Sequence, residues 1–103
     1  MPSITAAGRT TPGKGWQTHS DYAIYIDIDT SGHFSSTSDV PIYTISLGGD
    51  NGMWDSNGAQ CVYRATHDGF RVYLRSNFRD TKLDVASAQD NNWFINWHGV
   101  QQF

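Results

Sequence analysis

Alternation of apolar and polar side chains is the dominant pattern in this chain. Its clearest run, residues 22–29 (YAIYIDID), puts Tyr22, Ile24, Ile26 and Ile28 on one face and Ala23, Tyr25, Asp27 and Asp29 on the other. Residues 41–47 (PIYTISL) predict a second strand, with Pro41 leading where a missing N–H is tolerated. Residues 59–75 (AQCVYRATHDGFRVYLR) read as a hairpin: runs at 60–64 and 69–74 flank a turn through Thr66, His67, Asp68 and Gly69, the glycine being free to take positive φ. A last run, 93–100 (WFINWHGV), sets Trp93, Ile95 and Trp97 against Phe94, Asn96 and His98.

The intervening segments lack that rhythm. Residues 1–15, rich in Gly, Pro, Ser and Thr, read as an N-terminal arm in which Ile4 to Ala7 could add an edge strand, with Trp16 anchoring it to a domain at 16–103. Residues 30–38 form a loop from which Phe34 enters the core. Residues 48–58 make a glycine-rich turn, and 76–92 are too long for a passive connection, with one helical turn expected at 83–89. Short strands at this spacing predict an all-β sandwich in a single small domain.

Composition agrees with that class. The 103 residues suffice for one core, with 14% aromatic and 17% charged residues. A net charge of −3 with no clustered Lys or Arg argues against nucleic acid as a partner. No stretch reaches the ~20 apolar residues of a membrane span, so membrane insertion is not expected. No apolar leader stands at the N-terminus, so a secreted or cell-surface location implies a mature chain; a cytosolic one is the alternative. Cys61 is the sole cysteine, which rules out an intrachain disulfide and a zinc–thiolate cluster; between Gln60 and Val62 it reads as a small buried hydrophobe.

The order Trp16, Phe34, the Pro41-led strand, Tyr63 upstream of Gly69–Phe70, and Ile95-x-Trp97 resembles the H-type lectin domain, the family of snail agglutinins and discoidin C-terminal domains. The resemblance spans about residues 16–101. It implies a six-stranded antiparallel β-sandwich that assembles as a homotrimer or hexamer and binds galactose- or N-acetylgalactosamine-type glycans near subunit boundaries. On the family's pattern Asp21 is the nearest match to a sugar-contacting Asp. Asn57 stands where the family has Arg, and Asn77 and Phe78 stand where it has Trp-His.

Strand geometry gathers the same region independently. The open end of the predicted hairpin brings Trp54, Asp55, Asn57 and Arg75 near Asn77, Phe78, Arg79 and Asp80. Aromatic faces beside amide, carboxylate and guanidinium groups are what a shallow sugar site requires. The candidate carbohydrate-binding residues are therefore Asp21, Asp55, Asn57, Asn77, Phe78 and Arg79. Each has a plainer role available: Asp and Asn form turns, and exposed aromatics plug loops or meet subunits.

No cofactor is expected. Calcium is the one cation the sequence offers oxygens for, through Asp27 and Asp29, about 7 Å apart on one strand face, or through Asp50, Asn51, Asp55 and Asn57. Four histidines show no paired ligand spacing. His98, opposite in parity to Trp97, would make a trimer sensitive to mildly acid pH if it sits at the interface. An enzyme is not expected: there is no G-x-S-x-G, and although Asp27/Asp29 or Asp55/Asp80 could serve as a carboxylate pair for glycoside hydrolysis, a 103-residue sandwich offers little room for the cleft. Two functions follow, a lectin, or a structural module of a surface or filament whose sugar site is lost.

Overall fold

The alternating runs form strands wherever their apolar faces can meet across a shared core. A computed structural model describes residues 3–78 and 82–102. Its strands are β1 (Ser3–Arg9), β2 (Trp16–Ser20), β3 (Ala23–Asp29), β4 (Ile42–Gly48), β5 (Ser56–Asn57), β6 (Gly69–Ser76) and β7 (Phe94–Gln102), with a helix α1 (Val85–Asp90). They make two antiparallel sheets, β1-β7-β4 and β2-β3-β6-β5, in an all-β sandwich of seven strands rather than six. β2 is the strand no alternating run announced, while β1 pairs along β7 from Ser3 opposite Gln102 to Arg9 opposite Asn96. The segment expected to supply an edge strand over Ile4 to Ala7 thus supplies a longer one.

Period-two alternation explains the packing. Ile24, Ile26 and Ile28 of β3 and Phe70, Val72 and Leu74 of β6 are buried, and they face Tyr43, Ile95 and Trp97 of the other sheet. At one end the indole of Trp16 donates to the Trp93 carbonyl (3.1 Å) and meets the Trp93 ring edge-on, while Trp93 donates to the Asn51 carbonyl (2.7 Å). Tryptophans can be buried here because their N–H groups are satisfied. Phe34 fills the space above Gly99, where a Cβ would stand 2.6 Å from its ring. The expected helical turn is α1, capped by Asp84, whose carboxylate accepts from the Ser87 amide (2.9 Å).

Three expectations fail here. Residues 60–64 do not form a strand. The chain leaves β6 after Asn57, which pairs with Arg75, and returns only as an isolated bridge between Tyr63 and Arg71. The intervening residues bulge outward in a turn closed by the Cys61 amide on the Gly58 carbonyl (3.1 Å). Gly58 permits this with φ 113°, and a Cβ there would lie 2.4 Å from the Tyr73 carbonyl oxygen. Cys61 is consequently exposed, not buried. β7 lies in the sheet opposite β6. Tyr22 belongs to the turn before β3 and is exposed.

Candidate functional site

The end of β6, the β2–β3 turn and β5 converge because their backbones are tied together. The Ser76 amide donates to the Tyr22 carbonyl (2.9 Å), and Arg75 lies between Ala23 of β3 and Asn57 of β5 in the ladder. Asn77 fastens the next loop: its backbone N–H donates to the Asp55 carbonyl (2.9 Å), and its side-chain amide donates to the carbonyls of Trp54 (3.1 Å) and Ser56 (3.3 Å). A shallow groove of about 790 Å³ results, with Tyr22 and Phe78 exposed at its margins and Ser20, Asn57, Arg75 and Asn77 between.

The expected residues divide at this groove. Asn57, Asn77 and Phe78 line it together. Asp21 is exposed in the β2–β3 turn, between the lining residues Ser20 and Tyr22. Asp55 lies in the short 3-10 turn Met53–Asp55 and lines a separate, smaller cavity with Ser76, Lys82 and Trp93. Arg79 and Asp80 lie outside the described residues. Asn77 spends its two amide protons on the neighbouring loop, which leaves its carbonyl oxygen as the group it can present.

A second groove of about 640 Å³ adjoins the first and shares Ala23, Asn57 and Arg75 with it. Its wall is aromatic. Tyr73 meets Tyr63 edge-on at 4.9 Å and His19 at 5.1 Å between centroids, and Tyr25 lies 5.8 Å away. Arg71 stacks over Tyr25 (4.2 Å), donates to the Tyr73 hydroxyl (3.2 Å), and grips Asp27 through two nitrogens (2.6 and 3.0 Å). Cys61 and Gln60 sit on the outer lip. The signal for this wall was present in the sequence: Tyr25 and Tyr73 occupy the outward parity of their strands. His19 shares the outward parity of Gln17, which pairs with Tyr25, and joins the wall from β2, a strand with little apolar pattern to announce it.

The carboxylates on this sheet are already engaged. The Arg71 hydrogen bond holds the Asp27 carboxyl below its usual range, and hydrogen bonds from Ser31 do the same for Asp29. A carboxyl depressed in this way is a poor general acid. No group of three His, Cys or Asp side chains is arranged around a common point among the described residues. In the glycine-rich turn, Asp50 accepts from Asn92 (2.8 Å) and Asn51 caps Gly52 (2.9 Å). Among the described residues, no helix is long and apolar enough to cross a membrane. No family model and no curated protein matches the sequence.

Proposed function

We propose that this protein is a carbohydrate-binding lectin, acting as a homotrimer or hexamer in secretion or at a cell surface, that holds galactose- or N-acetylgalactosamine-type glycans in the groove between the β2–β3 turn, β5 and the end of β6. One observation carries the reading: two exposed rings, Tyr22 and Phe78, line one groove with a guanidinium and amide groups. Ring faces suit the C–H side of a pyranose, and Arg75 and Asn57 suit its hydroxyls. A single shallow site of this kind binds weakly, roughly millimolar, and repetition in an oligomer supplies avidity. The test is a glycan array with and without EDTA, followed by titration of Phe78→Ala. Selective capture of galactose-type glycans, lost in the variant, is the expected result. Loss with EDTA would assign a role to calcium.

A second reading is a structural module whose partner is another protein surface. Trp54, 91% exposed, and Ile42, 65% exposed, favour it, because large apolar side chains so open to water are typical of contact surfaces. An array left blank by folded protein would favour this reading.

A further inference from the structure

The two grooves are one track, and its charge is the reverse of the protein's. All ten acidic side chains of the chain are aspartates, and with the seven Lys and Arg they give a net charge of −3. None of those among the described residues lines either groove, whereas Arg64 and Arg75 do. The three outward arginines of this face differ in what they have left to offer. Arg71 is neutralised by its two-nitrogen grip on Asp27. Arg64 also borders a small neighbouring cavity lined by Asp27, Asp29 and Asp68, so its field is shared with those carboxylates. Arg75 stands at the junction of both grooves with no ion pair among the described residues.

Length gives the second constraint. From Tyr73 to Ser76 the track follows β6 for roughly 10 Å at about 3.4 Å per residue, already more than one pyranose ring, and it continues to Phe78. Aromatic rings stand at both ends, His19, Tyr63 and Tyr73 at one and Tyr22 and Phe78 at the other, with the cation between them. We infer that the ligand is a linear acidic oligosaccharide, lying along the outer face of β6 with a ring against each aromatic group and a carboxylate or sulfate on Arg75. This rests on the lectin reading and names its ligand class: an acidic chain, not a single neutral terminal sugar.

Galactose and galacturonic acid differ only at C6, so their oligomers make a clean probe. The full chain would be titrated calorimetrically with galactose, galacturonic acid, galactotriose and trigalacturonate, at low and high salt. Trigalacturonate is expected to bind at least about tenfold tighter than galactotriose at low salt, with the advantage shrinking as salt screens it. It is also expected to bind tighter than galacturonic acid. Arg75→Gln should weaken trigalacturonate more than galactotriose, and Tyr63→Ala should erase the gain with length. Equal affinity for the two trimers overturns the acidic class while the lectin reading stands. Equal affinity for trimer and monomer overturns the extended track. Binding of none of the four overturns this inference, and the glycan array then decides the lectin reading separately. The comparison between ligands is made on the unaltered protein, so it holds even if a variant fails to fold.

Discussion

Gln101 occupies a strand position whose parity belongs to the core, next in line after Ile95, Trp97 and Gly99, and it is fully buried. Its amide is completely engaged: it donates to the carbonyls of Ser35 (2.6 Å) and Asp39 (2.8 Å) and accepts from the Ser35 amide (2.8 Å). One side chain thereby supplies the backbone partners that the irregular 35–39 loop lacks. Gln101→Leu keeps the shape and orphans those groups, so it should cost about 2 kcal/mol or more in urea unfolding. A loss below about 0.5 kcal/mol would mean that water replaces the amide. Tyr43 makes a similar tie, sharing a hydrogen bond with Thr30 (2.8 Å) and donating to the Thr66 carbonyl (2.8 Å). Burial pushes its phenol above the ordinary tyrosine range, against the Thr30 bond, with Asp68 adding to the rise. A raised folded pKa means stability is intact below the unfolded value of about 10 and falls as pH climbs past it. Tyr43→Phe should flatten that alkaline limb in pH-dependent melting, and an unchanged limb would assign it elsewhere. Asp27 runs the other way. Its depressed pKa gives stability that is present above the unfolded value and lost as pH falls through the folded one, so Asp27→Asn should reduce acid sensitivity below about pH 4.

Among elements, β5 is the one whose existence hangs on a single residue. Asn57 can pair with Arg75 and the chain can still swing away because Gly58 sits against the Tyr73 carbonyl at positive φ. Gly58→Ala should destabilise the fold by more than about 1 kcal/mol in urea unfolding. A loss below about 0.3 kcal/mol would show that β5 holds without it. Helix α1 depends on Asp84, whose carboxylate accepts from both the Ser87 amide and hydroxyl and is held below its usual range by those bonds. Asp84→Ala should cost about 1 kcal/mol in thermal unfolding. The legibility of these elements follows from how each is encoded. β3, β4, β6 and β7 declare themselves because each buries one face, and burial writes a period of two into the sequence. Residues 60–64 carry the same period without the burial: Tyr63 faces outward onto Tyr73, so the alternation there marks a surface cluster and not a strand. β1 is partly covered along its length and looked like a loose arm because Ala, Gly and Thr carry little hydrophobic signal.

At the scale of the molecule, what the sequence could not supply was the pairing of distant segments. Asn57, Asn77 and Phe78 line one groove although the expected hairpin is only half formed, since β5 and the Tyr63 bridge are enough to keep its ends close. Asp55 lines a different cavity from Asn57 because it belongs to the 3-10 turn at 53–55, to which the period of two in β5 does not extend. His98 does face outward, between Ala7 and Thr44 on the outer side of β7. If this face joins subunits, His98→Asp should dissociate the oligomer in sedimentation; a constant oligomer would place the interface elsewhere. The pairing of Ser3 with Gln102 has a mechanical consequence. The first and last strands are antiparallel neighbours whose outer ends meet, so tension applied at both ends of the domain loads their hydrogen bonds in sequence rather than all together. The sandwich would open like a zipper, at low force and from the edge. An adhesive element built on it would stay stiff under load only if it were held from one end, or if a partner clamped β1 in place.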